Sequence, residues 1–358
     1  MKHTAKAWLF VVLASCFGLP CQALVILQYH HISDATPPST STSPAVFRQH
    51  LELINDAGFK VLSLTDVAQM LRDRTPLPND AVLITFDDSY VSIYTTAFPL
   101  LKARRWPFAV FVNTAPVGSG GQFLSWDQLQ DMADNGAAIA NHSVNHTHFA
   151  RRPDNVAAEV WQAQVRNEIL AAERAIQQYT GQSHRVLAFP YGEFDASLLE
   201  TLEEQGFLGM SQASGAVRVE DALALPRFPM GGRFGKLDDL KLKLQSLPLP
   251  LEAVEIQHDK GRKLEDGVLP DGVDKPVLQL TLASDALAQG LQCYASGQRN
   301  AISKIVDGRR VLVQADQSLP IGRSRYNCTA RDDSSGRYYW YSRPFLRRDK
   351  NGNYPPEA

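Results

Sequence analysis

The sequence predicts an α/β fold, a parallel sheet or barrel of strands alternating with helices, followed by a small antiparallel β-sandwich. Three observations predict it. Short apolar and β-branched runs such as "VLIT" at residues 82–85 lack the polar alternation of a half-exposed strand, and suit strands buried on both faces. Between them lie segments with apolar residues at helical spacing, opened by Ser or Thr and closed by Gly. After about residue 245 this alternation gives way to short β-like segments separated by turn residues.

Taken in order, "LVILQYHHI" (residues 24–32) reads as a strand. Ser43 caps and Pro44 opens a helix in which Phe47, Leu51 and Ile54 share a face, and Gly58 ends it. "VLSL" is a strand, and Thr65 caps a short helix through Leu71. The strand "AVLITFDD" follows, then a helix near residues 93–104 and the strand "FAVFVNT". Ser125 caps "WDQLQDMADNG", which stops at Gly136, and "AAIANHS" returns as a strand. A long helix over residues 156–180 leads to the strand "RVLAFPYG", a helix over 196–205 that Gly206 ends, and "FLGMSQAS". This order implies right-handed crossovers and parallel pairing. Residues 251–275, rich in Pro, Gly and charge, read as a linker between a domain over 24–250 and a sandwich over 276–358. The sandwich segments, "PVLQLTL", "LQCYASG", "RRVLVQAD", "SRYNCTARD" and "GRYYWYSRPF", suit an immunoglobulin-like module.

At 358 residues, with 44% hydrophobic and 21% charged residues, the chain is long enough for two domains. A formal charge of −2 offers no basic field for nucleic acid. Residues 1–23 read as a signal peptide. Lys2 and Lys6 precede the apolar run "AWLFVVLASCFGL", and "PCQA" supplies small residues for cleavage after Ala23. "LASC" also matches a lipoprotein box, which would anchor the chain through Cys16. Both readings export the chain to the periplasm or cell surface, in association with the envelope. No later stretch is long and apolar enough for an integral membrane span. The mature chain keeps Cys293 and Cys328, read as one disulfide of an oxidising compartment, stabilising by about 3–4 kcal/mol.

Asp87 and Asp88 end the buried run of residues 82–86, where their mutual repulsion calls for a compensating cation. In "ANHSVNHTHF", His142 and His146 are four apart, so on a helical turn both imidazoles would meet one metal. With Asp88 they make a two-histidine, one-carboxylate set with open positions, suited to a divalent ion such as zinc. Ser, Val and Asn between the histidines exclude the H-E-x-x-H protease pattern. "TFDD", "HSVNH" and "FPYG" each close a strand, which places them together at the C-terminal edge of the sheet.

In this order and spacing the three motifs resemble those of the polysaccharide deacetylases, carbohydrate esterase family 4, which read T-F-D-D-G, H-S/T-x-x-H and P-Y-G. The resemblance covers roughly residues 24–235 and looks nearest to the poly-N-acetylglucosamine deacetylases of bacterial biofilms. It implies a distorted (β/α) barrel, an acetylated polysaccharide substrate and a Zn2+ ion, with Ni2+ or Co2+ as alternatives. Carried over by position, Asp87 is the general base, and Asp88, His142 and His146 are the metal ligands. The backbone N–H of Tyr191 would bind the oxyanion, and Pro190 and Arg227 are candidate substrate contacts. The general acid is His30, the His after Tyr in the first strand, or else His258, which stands late in the chain as in ordinary members. Two positions depart from the pattern. Ser89 replaces a Gly, and Ala188 stands where many members carry an Arg that orients the base, a role for which Arg227 in "ALPRFPM" is the candidate.

His50, His148 and His184 read as surface residues. In "RYYWYSR" (residues 337–343), Tyr338 and Trp340 share one strand face and Tyr339 and Tyr341 the other, so one face packs as core and the other either packs at an interface, the favoured reading, or stacks on sugar rings. Three functions fit: a metal-dependent N-deacetylase, a polysaccharide-binding protein that has lost catalysis, and an O-acetyl esterase.

Overall fold

The computed structural model describes residues 23–258 and 261–356, so the leader and Cys16 lie outside the described residues, Ala23 apart. The chain begins with β1 (Leu24–Tyr29), β2 (His31–Ile32), β3 (Ser41–Thr42), α1 (Pro44–Asp56), β4 (Lys60–Val61), α2 (Leu64–Arg72) and β5 (Ala81–Asp87). A π-helical turn leads into α3 (Phe98–Arg104), β6 (Phe108–Val112), α4 (Trp126–Asp134), β7 (Ala137–Asn141) and α5 (Ala158–Thr180). Then come β8 (Val186–Ala188), α6 (Ala196–Glu204), β9 (Leu208–Met210), β10 (Phe228–Pro229) and α7 (Leu237–Leu244). The cap of α2 is Ser63 rather than Thr65, because the Ser63 hydroxyl accepts from Asp66 N.

One parallel sheet runs β10-β1-β5-β6-β7-β8-β9, with β4 also beside β5. Met210 bridges Leu225, and Phe228, three residues on, pairs with Leu27 of β1. The sheet therefore curls until residues 225–229 stitch its two edges together. Strand alternation then sorts the side chains. Val25, Leu27 and Tyr29 with Val82, Ile84 and Phe86 pack in one cluster with Phe47, Leu51 and Ile54 of α1. Leu24, Ile26, Ala81 and Leu83 fill the other face with Ala109, Ala138, Ala140 and Ala188, whose small side chains suit the inside of a tightly curled sheet. The same period puts Gln28, Thr85 and Asp87 on that inner face, at the C-terminal rim. His50 is not at the surface as expected. It is fully buried on α1, between Tyr29 Oη at 3.1 Å and Gly235 O at 2.7 Å.

The rest of the chain is almost all β: β11 (Ser246–Pro248), β12 (Leu251–Gln257), β13 (Lys263–Leu264), β14 (Val277–Leu282), β15 (Gln292–Ala295), β16 (Ser303–Asp307), β17 (Arg310–Gln314), β18 (Gly322–Arg331) and β19 (Tyr338–Arg347). Two sheets, β11-β19-β18-β15 and β13-β12-β14-β17-β16, close on a core that includes Leu278, Leu280, Val311, Val313, Tyr326 and Phe345. Residues 251–275 differ from the expected linker, since β12 pairs along its length with β14. The flanking prolines and charges masked that strand in the sequence. Cys293 and Cys328 sit opposite each other on β15 and β18 and are bonded. The two parts are joined firmly: β11 pairs with β19, Trp340 packs edge-on against Phe228 at 5.2 Å, and Ser342 Oγ donates to Ser214 O at 2.6 Å.

Candidate active site and metal centre

At the rim, Asp87 keeps the strand alternation and Asp88 breaks it. Asp87 faces inward and is fully buried. Arg227 donates to both its oxygens, at 2.6 and 2.7 Å, and Gln28 Nε2 donates to Oδ2 at 2.6 Å. Arg227 is equally buried and lies on the seam of residues 225–229, its Nε tied to Ser211 O at 3.0 Å. Burial alone would raise the Asp87 pKa. The Arg227 guanidinium, followed by His142, outweighs burial and holds the carboxyl below its ordinary value.

Asp88 has a left-handed backbone, φ 63°, which turns its carboxylate toward the second motif. Its Oδ1 lies 3.5 Å from His142 Nε2 and 3.5 Å from His146 Nε2, and the ligating atoms of the three residues all lie within 4.8 Å of one another. Such separations are long for hydrogen bonds. They suit a shared ion: two bonds of about 2.1 Å at a tetrahedral angle put their ligand atoms about 3.4 Å apart. His142 Nδ1 donates to Ala188 O at 2.8 Å, which leaves the Nε2 lone pair aimed at the centre. Burial would raise the Asp88 pKa, but His142 and the other imidazoles hold it far below the ordinary carboxylate range.

The histidines do not meet on a helical turn, as the spacing predicts. Residues 142–146 form a loop in which Ser143 (φ 70°) and His146 (φ 57°) are left-handed. Asn141 Oδ1 accepts from Ser143 N, Ser143 Oγ accepts from His146 N, and Glu168 of α5 accepts from Asn145 N at 2.8 Å. A pinned turn thus does what a helix face would have done.

Ser89 keeps an ordinary backbone, because the left-handed residue of this turn is Asp88. The freedom of a Gly is therefore not needed there. The Ser89 hydroxyl donates to Asn113 Oδ1 at 2.9 Å and ties the end of β5 to that of β6. His30 is half-buried and close enough to Asp87 and Asp88 for its charge to act on both. His31 instead stacks on Tyr90, ring centroids 3.5 Å apart. His258 follows β12 in the C-terminal sheets, where its N–H donates to Arg262 O.

Pro190 is buried and opens the turn that sets Tyr191 at φ 59°. The Tyr191 ring stacks on His148 at 3.6 Å and lies 4.3 Å from the His146 ring. Gly192 follows at φ +70°, where a Cβ would meet Gln212 Cβ at 2.5 Å, so only glycine fits. His148, expected at the surface, accordingly walls the site, with Nδ1 3.0 Å from the buried Glu193, which Arg151 also grips at 2.6 Å. His184 is half-buried, away from this cluster, beside Gln182 Oε1. The sequence reading missed Gln28, Glu168 and Glu193. The one signal for Gln28 was a polar residue inside the apolar strand "LVILQY".

Residues 74–210 match the family model described as polysaccharide deacetylase. The chain carries a polysaccharide deacetylase domain. The poly-beta-1,6-N-acetyl-D-glucosamine N-deacetylase of Escherichia coli (strain K12) is 24% identical over 249 residues, covering 58% of this chain and 36% of that protein. The chain thus spans about a third of that relative's length. Among solved structures, IcaB from Ammonifex degensii superposes with a TM-score of 0.54 at 27% identity, covering 62% of this chain and 94% of its own. The Streptococcus pyogenes deacetylase PplD, in complex with acetate, gives a TM-score of 0.56 at 22% identity, covering 63% and 99%, a likeness of fold. Both superpositions leave more than a third of this chain uncovered. No helix of the deacetylase domain or of the other described residues is long and apolar enough to cross a membrane.

Proposed function

We propose that this chain is an exported, metal-dependent hydrolase that removes N-acetyl groups from a GlcNAc-containing polysaccharide. The observation that carries this reading is the division between two adjacent carboxylates. Asp88 stands with two imidazole nitrogens at ligand separations, while Asp87 is clamped beside them by Arg227 and Gln28. Two neutral nitrogens and one carboxylate fit a divalent ion, zinc first, with nickel or cobalt as alternatives. Bound there, the ion would supply Lewis acidity toward the acetamide carbonyl and lower the pKa of water.

Asp87 takes the proton of the attacking water, with Arg227 keeping its carboxylate anionic and oriented. The Tyr191 N–H, in the turn opened by Pro190, donates to the oxyanion that develops on the carbonyl. His30 delivers a proton to the leaving amine, and acetate departs. His258 lies in the turn after β12 of the C-terminal sheets, while His30 stands beside Asp87 and Asp88, which favours His30 as the acid.

The names of the relatives support the polymer as substrate, and the leader supports export to the periplasm or cell surface. We read the C-terminal sheets as an immunoglobulin-like sandwich. Its support is the strand order β12-β14-β17-β16 against β15-β18-β19 around one shared core. The division then falls near residue 250 rather than after a linker. The test is acetate release from β-1,6- and β-1,4-linked GlcNAc oligomers, with Asp88→Asn as control. Release by the wild type alone supports the reading. Release only from O-acetylated glycans would make the chain an esterase, and none from any acetylated glycan would leave a binding protein.

A further inference from the structure

Two adjoining cavities, of about 280 and 520 Å³, lie between the curled sheet and the C-terminal sheets. Both are lined by Ser296 and Arg325, so they form one trough. Its near end is Tyr191, whose ring is 4.3 Å from that of His146, and its far end reaches Phe234 and Leu242.

The charge along this trough is unbalanced, with Arg233, Lys243, Arg323 and Arg325 lining it against the carboxylates of Glu193 and Asp239. Arg325 is half-buried on β18, and its NH1 reaches Gln212 O at 3.3 Å. Among the described residues no carboxylate pairs with it, and its charged neighbours are Arg323 and Arg233. Arg323 lies over the Tyr191 ring at 5.5 Å and 3.8 Å from Glu193 Oε1, a carboxylate that Arg151 and His148 already occupy. A guanidinium withdrawn from water without a counter-ion is costly, and a bound anion removes that cost. The walls suit sugars. Tyr294, Phe234 and Leu242 line the larger cavity and are 41%, 39% and 56% exposed, three of the large hydrophobic side chains that the described residues leave open. An amphipathic ring with a polar rim around it is a stacking face for a pyranose.

We propose that the trough binds an acidic saccharide segment, its carboxylate on Arg325 and its rings on Tyr294 and Phe234. This rests on reading a polysaccharide as the substrate, and it specifies that the polymer carries uronate-like residues near the acetamide sugar. The probe is a hyaluronan hexasaccharide, which alternates GlcNAc with glucuronate, and the comparison ligand is the neutral chitohexaose. Calorimetry at low salt uses the full chain with Asp88→Asn, which removes turnover and leaves the trough intact. The acidic hexasaccharide is expected to bind at least about tenfold more tightly than the neutral one. Arg325→Gln abolishes that preference, Arg325→Lys keeps most of it, and Tyr294→Ala weakens both ligands. Equal affinity for the two ligands overturns the proposal, and so does an unchanged preference in Arg325→Gln or its complete loss in Arg325→Lys. Since the readout is binding without turnover, a chain that releases no acetate would defeat the deacetylase reading while leaving this result to stand or fall alone.

Discussion

Replacing Arg227 with Met removes the guanidinium that grips Asp87 while roughly keeping the length of the side chain. Both groups are fully buried and share two charge-assisted bonds, at 2.6 and 2.7 Å. Stranding one charge of such a pair costs about 3–5 kcal/mol, which lowers Tm by roughly 4–7 °C in a chain of this size. The same change reverses the balance on Asp87. Burial raises its pKa and Arg227 lowers it. Without Arg227, burial prevails and the base binds a proton at higher pH. Acetate release should fall by at least about a hundredfold at pH 7, and the rising limb of its pH profile should move to higher pH. Asp87→Asn on the same background relieves the stranded charge, so Asp87→Asn with Arg227→Met should be more stable than Arg227→Met alone and equally inactive. An Arg227→Met profile with its rising limb in place and its turnover retained would refute this reasoning.

Other outcomes follow from the same geometry. His30→Asn should cut kcat by about 10²–10³ and flatten the alkaline limb, whereas His258→Asn should leave both intact; the opposite result in the pH–rate profiles would reassign the acid. His50 is buried, and burial pushes its pKa down to about 4. The native state therefore binds fewer protons than the unfolded chain between about pH 4 and 6.5. The His50 contribution is complete above about pH 6.5 and is lost as pH falls toward 4, on the order of 3 kcal/mol. Urea unfolding at pH 7 and 4.5 should show a smaller difference in His50→Asn than in the wild type, and an identical difference would contradict the assignment. Ser89→Gly loses the bond to Asn113 and should cost about 1 kcal/mol in urea unfolding while turnover persists; abolished turnover would show that the hydroxyl does more than brace the turn.

Much of the site was legible because strand periodicity is a strong signal. The run that ends in Asp87 and Asp88 reads as a doubly buried strand, and the alternation sends Asp87 inward. What the sequence concealed depends on backbone exceptions and distant partners. The left-handed residues Asp88, Ser143, His146 and Tyr191 are not ones that favour φ > 0 strongly enough to be read locally. Their conformations are set by tertiary bonds such as Glu168 to Asn145 N. Arg227 is 140 residues from Asp87, so its grip follows from the seam that closes the sheet. His50 and His148 read as surface groups because their partners, Gly235 O and Glu193, come 185 and 45 residues later. β12 was obscured by adjacent prolines and charges, although it pairs with β14 over its length.

The central claim is that Asp88, His142 and His146 hold one divalent ion on which acetate release depends. Metal content by mass spectrometry and acetate release from a β-1,6-linked GlcNAc oligomer, measured on the same full-length sample before chelation, after it, and after zinc is returned, test it most directly. The account predicts about one ion per chain, turnover that follows occupancy through the cycle, and loss of both in Asp88→Asn and His142→Ala. Undiminished acetate release from the chelated chain, or from Asp88→Asn, would contradict it.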